Sequence, residues 1–243
     1  MLKSKKNNVY IRGALGTQVF EYFSGLSFLL ENRIKLKQII HSTYDSVSFG
    51  KVTYLEKIAS LPKKISKSNK LNKSNAFFPE NFDRLLDWRE IIVKDHFKLF
   101  PNSEPIFKEV LHYRPPLYEK NEDLHIIERE KKRTPVSDAN WINIIKKNQN
   151  CKVIGLNHAH MEKIFPSNQI FYGKDTIQDW QIILNAKKVI CSLSMFPIST
   201  LLFCPEKKVD LYIDLDSYEI PKNDLEAINK LIKNGFNIKI IEI

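Results

Sequence analysis

The stretch YIRGALGTQVFEY, residues 10–22, sets the reading of the whole chain. A short apolar run, Val9 to Arg12, meets two glycines, Gly13 and Gly16, and then turns amphipathic. Val19, Phe23, Leu26 and Leu30 recur at helical spacing, so the segment predicts strand, tight turn, helix. The chain has only 7 glycines, and two placed three residues apart mark a constrained backbone. No Gly-Lys-Ser/Thr follows, so this is not a Walker loop, and it is not GxGxxG either. Taken alone, the loop fits a ligand cradle or a plain turn.

Outward from that loop, strand and helix signals alternate. RIKLKQIIH (33–41) partly alternates and reads as a strand. PKKISKSNKLNKSN (62–75) reads as a solvated loop, and helical character resumes over 82–100. HYRPPLYEKNED (112–123) carries a Pro-Pro pair and charge and reads as a linker. Beyond it the pattern is regular, with strands expected at 124–129, 152–157, 170–173, 188–193 and 208–213 and in the closing NIKIIEI. Helices are expected at 137–148, with Ser137 as N-cap, at 175–186, with Ile177, Trp180 and Leu184 on one face, at 194–203 and at 222–235, ending at Gly235. Strands alternating with helices of about a dozen residues imply βαβ units and parallel sheets. The expected fold is α/β, with two Rossmann-like lobes, residues 1–115 and 116–243, whose parallel sheets face a cleft.

Composition narrows the function classes. The chain has 243 residues, is 43% hydrophobic and carries a formal net charge of +10. Such a charge favours polyanionic partners: a phosphorylated small molecule, nucleic acid or an anionic membrane face. No zinc-finger spacing or RNP-type aromatic motif is present, which ranks nucleic acid low. Cys151, Cys191 and Cys204 are widely spaced, with no CxxC pair, as expected of reduced thiols in the cytoplasm. The apolar stretch at 19–30 is interrupted by Glu21 and too short to span a bilayer. A protein without a membrane span is expected, its basic surface suited to peripheral association with the inner membrane face.

Ligands of open parallel sheets bind beyond the carboxyl ends of the strands. That rule selects Arg129 and Glu130 after strand 124–129, Asn157 and His158 after strand 152–157, and Ser192 and Ser194 after strand 188–193. A guanidinium at Arg129 suits a diphosphate, or a salt bridge to a neighbouring Glu. Ser192 and Ser194 at a helix start suit an anion, and equally an ordinary N-cap. His158 and His160 form an H-x-H without a third ligand at useful spacing, so no metal is expected.

Three motifs then fall in a familiar order. GALGTQVFEY resembles the GGLGNQMFQY that opens α-1,2-fucosyltransferases and is echoed in α-1,6-fucosyltransferases. LHIIEREKKRTPVSDANW (124–141) resembles their HxRRGDK strand and loop, and DTIQDWQIILNAKKVICSLSMFPISTL (175–201) resembles their third motif. The resemblance implies a GT-B fold and an inverting transfer of fucose from GDP-fucose to a glycan hydroxyl, without metal or other cofactor. It implies that Gly13, Gly16, Thr17 and Gln18 line the cleft, with Thr17 standing where the family has Asn. It implies that Arg129 holds the donor diphosphate, that Ser192 and Ser194 bind it, and that Asp179 lies on the helix before the last motif. Glu130, Asp138 and Glu21 are candidates for the base. Two variants stay open: a different nucleotide-sugar donor, and a transferase-like protein that binds without turnover.

Overall fold

Gly13 adopts φ 67°, the left-handed region that glycine reaches without strain. The turn it makes joins strand β1 (Asn8–Arg12) to helix α1 (Leu15–Glu31), as the opening motif predicts. The computed structural model describes residues 7–43, 52–69, 82–97, 106–114, 136–155, 157–214 and 222–243, without the side chains of 82–83 and 222–224. The chain divides into two compact units, Met1–Phe100 and Pro101–Ile243.

In the first unit, β1, β2 (Gln38–Ser42) and β3 (Ile65–Ser68) form a parallel sheet in the order β1-β2-β3. Helix α1 is buried along most of its length. It lies so close on β1 that a Cβ at Gly25 would sit 2.8 Å from a Val9 methyl. Short α2 (Leu55–Ile58) and longer α3 (Phe82–His96) are its other described helices. The Phe23 and Phe97 rings stack at 5.2 Å where α1 meets the end of α3. Strand β3 corrects the reading of 62–75 as loop throughout. Its burial is confined mainly to Ile65, so backbone pairing with β2, not an apolar pattern, makes it a strand.

The second unit holds a five-stranded parallel sheet in the order β5-β4-β6-β7-β8. Its strands are β4 (Glu109–His112), β5 (Lys152–Ile154), β6 (Lys188–Ser192), β7 (Lys208–Ile213) and β8 (Ile238–Glu242). Its helices are α4 (Asp138–Lys147), α5 (His158–Ile164), α6 (Thr176–Asn185), α7 (Met195–Ile198), running into a 3-10 turn at Ser199–Leu202, and α8 (Lys222–Lys233). Ser137 caps α4 as expected, its hydroxyl accepting from Asn140 N, and Gly235 follows α8 at φ 87°. On one sheet face Leu111, Tyr113, Trp141, Val153, Phe165 and Ile190 join one core cluster.

Three expectations change. Strand β4 belongs to the second sheet, so the division between the units falls before it, not at 115/116. Residues 170–173 contribute a single bridge, Ile170 to Val153, in place of a strand. The buried face of α6 carries Asp179, Trp180, Ile182 and Ile183, while Ile177 and Leu184 are only half-buried. The C-terminal end of α6 is closed by a side chain: the buried Lys207 ammonium donates to Ile183 O, Leu184 O and Ala186 O, each at 2.7 Å. No helix among the described residues is long and apolar enough to cross a membrane.

Candidate functional site

The strand order of the second sheet fixes where a ligand belongs. The chain leaves β4 for β5 on one side, then returns to place β6 on the other side of β4. Right-handed crossovers in opposite directions put the connecting helices on opposite faces, leaving a crevice beyond the carboxyl ends of β4 and β6. Side chains after β4 agree. Tyr113 points to the face where it meets Trp141 of α4, and His112 packs its ring 5.2 Å from Phe196 of α7.

Three groups at this switch point suit a polar, anionic ligand. Arg114 follows β4, and its Nη1 donates to Leu193 O, just past β6, at 3.3 Å. The guanidinium therefore spans the switch point itself. His112 is buried, and its Nδ1 has no partner among the described residues; Ser192 is fully buried, and its Oγ is likewise unpartnered. Burial, and then the positive charge of Arg114, push the His112 imidazole down to about 3, so it is neutral at pH 7. Buried polar atoms without partners are rare in folded proteins, and here two lie at the carboxyl ends of adjacent strands: His112 within reach of the Arg114 charge, and Ser192 on the sheet face that Tyr113 shares.

The first turn of α4 lies over the same edge. Asp138 Oδ1 accepts from the Tyr113 hydroxyl at 2.7 Å, while Asn140 Nδ2 donates to Asp214 Oδ2, just past β7, at 3.5 Å. Strand β6 runs between β4 and β7, so this turn bridges the carboxyl end of β6. Asp138 Oδ2 pairs with His160 Nε2 at 3.0 Å, and the His160 ring stacks over Tyr113 with 13° between planes.

Of the residues singled out in the sequence, several hold structure. Asn157 caps α5, its Oδ1 accepting from His160 N at 3.1 Å, and Ser194 caps α7, accepting from Phe196 N at 3.4 Å. His158 packs edge-on against Tyr172. Asp179 is buried against Gly173, where a Cβ would collide with its Oδ1, and that oxygen has no partner among the described residues. Burial, and then the charge of Asp175, raise its carboxyl to about 7. Arg129 and Glu130 lie outside the described residues.

In the first unit, Gly13 and Gly16 shape the turn and the first helical residues, with Thr17 half-exposed beside Gly13. Gln18 is fully buried and bonded at every polar site. Its Nε2 donates to Gly13 O and Val52 O, both at 2.7 Å, and its Oε1 accepts from Tyr54 N at 3.0 Å and Leu55 N at 3.3 Å. Gln18 thus holds the loop rather than presenting its amide to a ligand. Glu21 is buried, with Oε1 on Arg12 Nε at 2.7 Å and Oε2 without a partner among the described residues. Burial outweighs that ion pair and raises its carboxyl to about 8.

Sequence reasoning does not single out His112 or Arg114, and it weighs His160 only as half of the H-x-H pair. The signal for the first two was EVLHYR (109–114), an apolar strand end followed by His-x-Arg.

No protein-family model matches the chain, and no curated protein matches it. Among solved structures, it is similar to NodZ α-1,6-fucosyltransferase soaked with GDP-fucose, at 11% identity and a TM-score of 0.48, covering 88% of this chain and 96% of that one. It is also similar to NodZ α-1,6-fucosyltransferase co-crystallised with GDP, at 10% identity and a TM-score of 0.43, covering 82% and 92%. Similarity of this degree leaves function to be argued from the chain's own residues.

Proposed function

We propose that the protein is a glycosyltransferase of GT-B type that binds a nucleotide-sugar donor, GDP-fucose or a relative, and transfers the sugar to a glycan hydroxyl. One observation carries the reading: Arg114 spans the β4/β6 switch point, its charge acting on His112, whose Nδ1 has no partner among the described residues. A diphosphate is the ligand class that such a guanidinium recognises, through permanent charge and bidentate donors. As the donor bond breaks, negative charge develops on the leaving phosphate, and a fixed guanidinium stabilises it. Arg114 thereby takes the role that the motif resemblance gave to Arg129. The resemblance of GALGTQVFEY to the fucosyltransferase opening supports fucose as the sugar. An acceptor oxygen attacking opposite the diphosphate inverts the anomeric centre.

Calorimetric titration tests this. GDP and GDP-fucose are expected to bind saturably, and Arg114→Ala to weaken both by at least about tenfold with little change in Tm. An absence of saturable GDP binding by the unaltered protein would sink the reading. Binding without turnover is the second reading. It is favoured by the loss of the family's Arg-Gly-Asp pattern, which reads Arg129-Glu130-Lys131 in this chain. GDP-fucose that binds but yields no GDP with any acceptor would establish it.

A further inference from the structure

Transfer to a hydroxyl needs a group that takes its proton. We propose that His160 is this proton acceptor, with Asp138 and Tyr113 as its positioning residues. The assignment rests on the transferase reading above and goes beyond it, because neither the motifs nor the donor site names His160.

The geometry is that of a hydrogen-bonded dyad. His160 Nε2 lies 3.0 Å from Asp138 Oδ2, so the neutral ring keeps its proton on Nε2 and leaves a lone pair on Nδ1. Nδ1 has no partner among the described residues, and the side chain is 33% exposed, so a substrate hydroxyl can reach it. The ring cannot swing freely: it stacks on Tyr113, whose hydroxyl donates to the other Asp138 oxygen at 2.7 Å. The backbone under it is pinned by the Asn157 cap.

Among the described residues, the charged and titratable groups facing the ring are Asp138 from α4 and Tyr113 from the end of β4. Glu162, on the ring's own helix, is engaged by the Tyr172 hydroxyl at 2.9 Å. The Asp138 charge stabilises the imidazolium that forms when Nδ1 takes a proton. Because both its oxygens already accept hydrogen bonds, Asp138 orients the ring and does not itself attack the hydroxyl proton. The position is also right, since the first turn of α4 bridges the end of β6, beside the switch point where the donor is proposed to bind.

In the step, the acceptor O–H gives its proton to His160 Nδ1 as its oxygen bonds to the donor's anomeric carbon. The bond from that carbon to the diphosphate oxygen breaks, and its electron pair leaves with GDP. The imidazolium then returns the proton to solvent.

The test pairs GDP binding with GDP release from GDP-fucose, using water and a glycan panel as acceptors, across pH 5 to 9. His160→Gln is expected to keep GDP affinity within about twofold while GDP release falls by about a hundredfold or more. The acidic limb of the pH profile should flatten in His160→Gln, and added imidazole should partly restore His160→Ala, which a purely structural role would not allow. Asp138→Asn should lower the rate without weakening GDP. His160→Gln turning over at the unaltered rate, with the acidic limb intact, overturns the assignment alone. Failure of the unaltered protein to bind GDP overturns the transferase reading and this assignment together. GDP binding without donor consumption removes the step, and His160's role with it.

Discussion

Gln18 shows how a residue can look like a ligand contact in a motif and turn out to hold the fold. A primary amide offers two donors and two lone pairs, and backbone groups take all four. The position of Gln18 in the motif was readable; its use was not, because its partners Val52, Tyr54 and Leu55 lie more than thirty residues away. Gln18→Ala leaves two buried N–H groups and two carbonyls without partners. It should cost about 3 kcal/mol, read as a lower urea midpoint at unchanged m value. Arg114 is the opposite case. Sequence reasoning passes over it because Pro115 and Pro116 follow directly and mark a linker. The strand before it is only four residues long, too short to show a period.

Long periodic elements were read closely, as α1, α4, α8 and β7 show, because apolar spacing alone specifies them. Strand β3 was not, since pairing rather than patterning makes it. Helix α6 lies between these cases. Its span was readable, but its buried face was not, because it contains an acid. Asp179 is raised from 3.8 to about 7, so the folded protein holds this proton where the unfolded chain has lost it. The resulting stability is fully present below about pH 4, declines as pH rises, and is gone above pH 7. Asp179→Asn removes this dependence. Its Tm should move upward relative to the unaltered protein between pH 4 and pH 8, measured by thermal scans at each pH. A difference that stays flat across that range would mean that Asp179 is not held protonated.

At the scale of the molecule, alternation gave two parallel α/β units but could not give strand order. The reversal at β4 is a choice of crossover direction that no local residue encodes, and it is what locates the site. His112, Arg114, Asp138, His160 and Ser192 all belong to the second unit. A fragment of residues 101–243 should therefore keep its α/β circular dichroism and bind GDP within about tenfold of the full chain. A folded fragment with no GDP affinity would mean the donor needs the first unit. Lys207 offers a way to watch the second unit open. Its ammonium is enclosed by three carbonyls and 3% exposed, whereas Lys208 beside it has a half-exposed side chain. An amine-reactive reagent should modify Lys208 in the native protein and reach Lys207 only in molecules whose α6 end has come apart. Where reclosing outpaces the chemistry, the ratio of the two labelling rates reports the free energy of that opening. Mass spectrometry of these adjacent lysines would turn a helix cap into an internal gauge of how often the second unit unravels.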